Sequence, residues 1–163
     1  MFLKNRVAFR FVEELLGDVA HVAINSSSPN VLIFDDAVRT ITTAAECYVA
    51  IIEHYNTKAK KATSDELRLK YEKLAQQKKQ NLVEIEIEKI KLEYETNRGL
   101  ISENQMKTKT VIRFSNQMLK NLNRMISDYE EIESETDFSK RDIVEENLRK
   151  ALRDYNNIIR LIS

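Results

Sequence analysis

The chain contains almost none of the residues that make sharp turns. Two glycines (Gly17 and Gly99) and one proline (Pro29) occur among 163 residues, whereas hairpins and sheet edges depend on these residue types. Apolar residues also recur at alternating spacings of four and three along most of the sequence. That spacing is typical of a helix that buries one stripe of its surface. Together, the two features predict an all-α protein.

Apolar spacing and capping signals divide the chain into five predicted helices. Their approximate ranges are 2–24, 29–62, 64–98, 100–134 and 139–162. Thr63 and Glu66 have the spacing of a capping box, which favours a helix start there, although residues 29–98 also suit one long helix. We expect a single domain over 1–163. Its predicted form is an elongated helical bundle or antiparallel coiled-coil hairpin with an N-terminal amphipathic helix.

Two short runs in the third predicted helix alternate between apolar and charged residues. Val83–Ile87 and Ile90–Tyr94 each have the period of two that is typical of strands. Glu88 and Lys89 put the two runs out of phase, whereas the spacing of four and three continues through both. The neighbouring Glu, Lys, Leu and Gln residues also favour a helix. We therefore interpret both runs as parts of one helix.

Charged residues form two opposite blocks. Eight bases and three acids lie between residues 56 and 82, and nine acids and two bases lie between 127 and 146. A chain that folds back at Gly99 brings the two blocks together, and their combined field favours an antiparallel register. The other interpretations are a solvated helix surface and a partner site. The pairs expected from the fold-back are Lys70 with Asp128, Arg68 with Glu130, and Lys61 with Asp137.

The later helices carry wide apolar seams. Lys78 and Asn81 dilute the seam of the third helix, which resumes at Val83. Ile85 and Leu92 lie alongside it. A helix with two apolar stripes can pack between two others, so we expect three or more helices in contact, within the chain or between copies. The predicted contact residues are Val83, Ile87, Ile90, Tyr94, Val111, Phe114, Met118, Leu122, Met125, Val144, Leu148, Tyr155 and Ile158.

The sequence offers no competent set of residues for catalysis or metal binding. The histidines are His21 and His54, the single cysteine is Cys47, and the two glycines stand apart. No cysteine pair for zinc and no phosphate-binding glycine loop is therefore present. Cys47 and His54 lie two helical turns apart, about 10 Å, which is too far for a thiolate–imidazole pair. We expect no catalytic, cofactor-binding or metal-binding residue and no small-molecule substrate.

These patterns favour a non-enzymatic helical interaction or scaffold protein. We expect it to self-associate through its coiled-coil-like seams, with another copy or another protein as its partner. The single cysteine excludes an intrachain disulfide, so we expect a reducing, cytoplasmic location.

Two alternative functions stay open. The first is a small adaptor or inhibitor that binds a macromolecule, nucleic acid included, through a basic segment. The balance of 26 basic and 26 acidic residues argues against a globally electrostatic nucleic-acid binder. The second is membrane interaction through residues 1–24, where aromatic and basic side chains suit an interfacial helix but Glu13, Glu14 and Asp18 oppose an anionic surface. The residues of the basic segment are Lys58, Lys60, Lys61, Arg68, Lys70, Lys73, Lys78 and Lys79.

Overall fold

Four α-helices make up nearly all of the described chain. The computed structural model describes residues 29–97 and 108–162, and the side chains of 35–94, 113 and 115–160. The helices are α1 (Pro29–Lys61), α2 (Asp65–Asn97), α3 (Thr108–Glu130) and α4 (Arg141–Ile162). Within these ranges no strand occurs and the helices pack against one another, which confirms the prediction of an all-α bundle. The predicted helix 2–24 and the predicted turn at Gly99 lie outside the described residues.

A short connection over residues 62–64 separates α1 from α2. The backbone N–H of Leu67 donates to the hydroxyl oxygen of Ser64 at 3.2 Å, which satisfies one of the free amides at the start of α2. Asp65 and Glu66 occupy the first turn of α2, where carboxylates are favoured by the helix dipole. The capping residue is therefore Ser64 rather than Thr63, and residues 29–98 do not form one continuous helix.

Helix α1 lies at the centre and contacts each of the other three described helices. Its buried positions alternate between small and large side chains: Ala44 and Cys47 are fully buried, as are Tyr48 and Ile51. Small residues let neighbouring backbones approach, and the large ones fill the space between them. This composition explains why α1 can be covered on several sides.

The connection between α3 and α4 is anchored by apolar side chains. Ile132 and Phe138 are both buried. The ring of Phe138 meets the ring of His54 edge-on, with centroids 4.7 Å apart. The Tyr129 hydroxyl at the end of α3 donates to the Glu145 carboxylate of α4 at 2.5 Å. These contacts hold α3 and α4 together and tie their connection to α1.

Helices α2 and α3 run antiparallel, as the fold-back predicted. The Lys78 ammonium lies 2.7 Å from Asp128, whereas Glu88, further along α2, lies 3.7 Å from Lys120, which is earlier in α3. Higher numbers on one helix therefore meet lower numbers on the other. The Lys78–Asp128 pair joins a base of the first charged block to an acid of the second, and Lys58 of α1 adds ion pairs to Glu135 and Asp137 at 3.3 and 3.2 Å.

The predicted pairing register is nevertheless wrong. Asp128 meets Lys78 rather than Lys70, a displacement of about two turns along α2. Asp137 meets Lys58 rather than Lys61. Arg68, which was expected beside Glu130, instead pairs with Asp65 and Glu72 of its own helix. The residue numbers of the observed pairs Lys78–Asp128, Glu84–Arg124 and Glu88–Lys120 sum to 206, 208 and 208, so the pairing is centred on residue numbers 103–104 rather than on 99.

Candidate interaction surface

Helix α2 has apolar side chains on two opposite faces. On the inner face, Ile85 and Leu92 are buried against the bundle. On the outer face lie four exposed side chains that we call the outer stripe. Their exposed fractions are 52% for Val83, 45% for Ile87, 64% for Ile90 and 54% for Tyr94.

The alternation of period two in the sequence explains the two faces. Successive residues of an α-helix are rotated by about 100°, so side chains two positions apart point in nearly opposite directions. Val83 and Ile87 therefore point away from the bundle while Ile85, between them, points into it. The same relation holds for Ile90 and Tyr94 on either side of Leu92. What resembles a strand pattern is a helix with two apolar faces.

The buried inner face keeps one continuous spacing along α2. The predicted seam departed from that spacing when it moved to Val83. Starting from Leu74, the same alternation of four and three passes through Lys78, Asn81 and Ile85 and reaches Leu92. Lys78 is 5% exposed and Ile85 is fully buried. Lys78, Asn81 and Glu88, the polar residues on this line, interrupt the apolar run but keep its phase. A search that kept the phase through them would have located the inner face correctly.

The other predicted seam residues lie inside the bundle. In α3, Met118, Leu122 and Met125 belong to the hydrophobic core, and Val144, Leu148, Tyr155 and Ile158 of α4 belong to it as well. The side chains of Val111 and Phe114 lie outside the described part of the chain. Among predicted seam residues with described side chains, only the four of the outer stripe are therefore exposed and accessible to another molecule.

Charged residues flank the outer stripe on both sides. By helical position, Glu84 and Lys91 lie along one edge of the stripe. Glu86 and Glu93 lie along the other edge, and Lys79 lies on that same edge nearer the start of α2. All five are exposed. Glu84 also accepts a hydrogen bond of 2.9 Å from the guanidinium of Arg124 on α3. An apolar stripe with charged edges is the usual arrangement of a coiled-coil surface.

The eight residues of the basic segment do not form one surface. Lys58 and Lys78 point to acids of the same chain, and the hydrogen bonds to those acids raise the pKa of each lysine although desolvation opposes the shift. Arg68 pairs within α2. The exposed members are Lys60, Lys61, Arg68, Lys70, Lys73 and Lys79, around the turn between α1 and α2 and along the outside of α2.

A buried polar cluster joins α1, α2 and α3. The Lys78 ammonium donates to Asp128 at 2.7 Å and to Glu131 at 3.2 Å. The Tyr48 hydroxyl and the Asn81 amide also donate to Asp128. Burial raises the pKa of the Tyr48 phenol, and the Asp128 carboxylate raises it further. The hydrogen bonds of the cluster join its own members, which lie on three helices, and they therefore orient these helices relative to one another.

The residues considered for chemistry are engaged in packing. Cys47 is fully buried, and burial together with the nearby Asp128 charge raises the pKa of its thiol, which opposes formation of a nucleophilic thiolate. His54 contacts the Glu135 carboxylate at 2.5 Å. His21 lies outside the described residues. Over 29–97 and 108–162, no group of three or more His, Cys, Asp or Glu residues could hold a metal ion.

None of the described helices has a stretch both long enough and apolar enough to cross a bilayer. Comparison of the chain with protein-family models, with curated proteins and with solved structures gives no match.

Proposed function

We propose that this chain is a non-enzymatic helical interaction protein that self-associates through the outer stripe of α2. One observation carries the proposal: four large apolar side chains stand exposed in a row on one helix face. Their spacings of four, three and four residues correspond to alternating d and a positions of a heptad repeat. Monomeric proteins rarely leave such a contiguous apolar patch in water without a binding role.

The size of the stripe supports a reversible complex. Each side chain is already about half buried, so covering the remainder contributes roughly 1 kcal/mol. Eight such side chains in a dimer contribute roughly 8 kcal/mol, from which the lost translational and rotational freedom removes about 4 kcal/mol or more. The balance of about 4 kcal/mol corresponds to a dissociation constant of about 1 mM, which small contributions from the charged edges lower. We therefore expect monomer and dimer to exchange.

Sedimentation equilibrium over a range of protein concentrations tests the proposal. The wild-type chain should show a concentration-dependent mass that reaches the dimer, whereas Ile90→Asp should remain monomeric because it places a charge in the stripe. Ile143→Asp is the matched control, since Ile143 on α4 is also an exposed isoleucine, at 50%. A wild-type chain that stays monomeric throughout, or equal disruption by both substitutions, would contradict the proposal.

The basic segment supports nucleic-acid binding less well. Two of its lysines neutralise acids of the same chain, and Arg68 has Asp65 and Glu72 beside it. A phosphate backbone needs several bases on one accessible surface. Titration of a fluorescent DNA duplex at two salt concentrations separates the alternatives: binding that falls steeply with salt would favour the adaptor function.

A further inference from the structure

The charges along the outer stripe specify how a second copy would lie against it. Resting on the proposed function, we infer that two copies of α2 associate in parallel and in register through Val83, Ile87, Ile90 and Tyr94. In this heptad frame, Val83 and Ile90 occupy d positions, and Ile87 and Tyr94 occupy a positions. Ile85 and Leu92 then fall at f, the position furthest from the partner, and they are the residues buried in the chain's own core.

The edge residues complement one another in the parallel arrangement. In a parallel pair, a g residue faces the e residue that is five positions later on the other helix. Lys79 of one copy then faces Glu84 of the other, and Glu86 faces Lys91. The twofold axis generates each pair twice, and every pair joins opposite charges. Glu84 already accepts a hydrogen bond from Arg124, so the incoming Lys79 would complete a chain of alternating charges.

The antiparallel arrangement is less complementary. With the same four apolar side chains in contact, e residues face e residues and g residues face g residues. Glu84 would again face a lysine, Lys91, but Glu86 would face Glu93 of the second copy, and the twofold axis repeats this repulsion. Like charges so placed oppose the pairing. The charge at Glu86 therefore favours the parallel orientation, in which it faces Lys91, over the antiparallel one, in which it faces Glu93.

The surroundings of α2 leave room for a second helix. Contacts with α3 come from Lys78, Glu84 and Glu88, and α1 meets the inner face near Tyr71, whose ring lies 5.5 Å from the Lys58 ammonium. By helical rotation, Lys78, Glu88 and Tyr71 lie more than a third of a turn from the centre of the outer stripe, and Glu84 lies about a quarter turn from it, at the edge. A parallel partner at the stripe would therefore approach α3 only at the Glu84 edge.

A charge-reversal cycle at positions 86 and 91 tests the orientation. In the parallel dimer, Glu86→Lys should weaken dimerisation about tenfold, because two attractive pairs become repulsive. Lys91→Glu should weaken it similarly, and the double variant should restore it. In an antiparallel dimer, Glu86→Lys would strengthen association by removing the contact with Glu93. Glu146→Lys, an exposed reversal on α4, controls for the change in net charge.

Disulfide trapping gives a second measurement with the full chain. Ile90→Cys should cross-link to the same position of another copy, since d faces d in a parallel pair. Preferential linkage in a mixture of Ile87→Cys and Ile90→Cys proteins would indicate the antiparallel arrangement and overturn the inference. Intrachain linkage of Ile90→Cys to a second cysteine introduced within residues 1–28 would overturn it too. If Ile90→Asp disrupts the dimer but Glu86→Lys does not weaken it, the orientation alone is refuted. If no dimer forms, the proposed function is refuted.

Discussion

The ammonium of Lys78 on α2 lies 2.7 Å from a carboxylate oxygen of Asp128 on α3, and both residues are buried. Neither charge would be stable there alone, because removing an ion from water costs several kcal/mol. Asp128 also accepts hydrogen bonds from Tyr48 and Asn81, so donors from α1 and α2 converge on it. The ion pair therefore sets the register between α2 and α3.

Removing one member of this pair should be strongly destabilising. Lys78→Met leaves the Asp128 carboxylate buried without its counter-ion, and we expect it to lower the free energy of unfolding by about 3–5 kcal/mol. The double variant Lys78→Met with Asp128→Leu should recover much of that loss, since no buried charge remains. Urea denaturation followed by circular dichroism measures both.

Lys70→Met provides the control for the ion pair. Lys70 is an exposed lysine on the same helix, and the structure does not place it beside Asp128. Its replacement should change the unfolding free energy by no more than about 0.5 kcal/mol. If Lys70→Met costs as much as Lys78→Met, the register described for α2 and α3 is incorrect.

The predicted start of α2 differs from the observed one by a single residue, and this difference can be measured. Ser64 caps the helix through the N–H of Leu67, so Ser64→Ala should cost about 1 kcal/mol. Thr63→Ala, the neighbouring hydroxyl that the sequence favoured, should cost much less. Thermal denaturation of the two variants separates them. A larger loss for Thr63→Ala would restore the capping box predicted from Thr63 and Glu66.

The helical class could be predicted because it depends on local properties of the chain. Scarce glycine and proline, together with long runs at spacings of four and three, exclude sheets and tight turns. Where the structure describes them, the predicted helix ends lie within four residues of the observed ones. The pairing register was predicted wrongly because the fold-back was centred on Gly99, whereas the observed ion pairs are centred on residue numbers 103–104.

The choice of the buried face on α2 could not be made from apolar character alone. Val83 and Ile85 are equally suited to burial, yet one is 52% exposed and the other fully buried. Apolar character does not separate these two residues, whereas the phase set by Leu74 and the pairing of Lys78 with Asp128 of α3 both favour the face of Ile85.

Asn121 offers a test of how much polar burial costs this bundle. Its side chain is fully buried in α3, and within the described ranges neither its amide nitrogen nor its oxygen has a hydrogen-bond partner. Asn121→Leu keeps a similar volume and removes the desolvated amide, so it should stabilise the fold by about 1–3 kcal/mol. Asn123→Leu at a half-buried site controls for added hydrophobicity. Destabilisation by Asn121→Leu would mean that the amide makes a necessary contact.

Two buried carboxyl groups between α1 and α4 should make stability depend on pH. Burial raises the pKa of Asp36 to about 6, against the opposing effect of Arg39. Burial likewise raises the pKa of Asp154 to about 6, with Arg39 opposing and the Asp36 charge reinforcing the shift. The Arg39 guanidinium lies 3.1 Å from Asp36 and 4.0 Å from Asp154. It therefore offsets only part of the cost of burying the two charges.

The sign of the dependence follows from proton binding. An unfolded aspartate titrates near its ordinary pKa of 3.8, so between about pH 4 and 6 the folded chain holds more protons than the unfolded one. The free energy of unfolding should fall as pH rises through this window, by on the order of 1–2 kcal/mol for each carboxyl. Above about pH 7 this contribution is constant.

Asp154→Asn, which imitates the protonated acid, should remove its share of this pH dependence. We expect the variant to be more stable than wild type at pH 7.5 and nearly equal to it at pH 4.5, in urea denaturation at both values. Glu146→Gln at an exposed site of α4 is the control for loss of one negative charge. Parallel pH profiles for wild type and Asp154→Asn would show that this carboxyl is not the titrating group, because only a raised pKa makes the difference between the two proteins grow with pH.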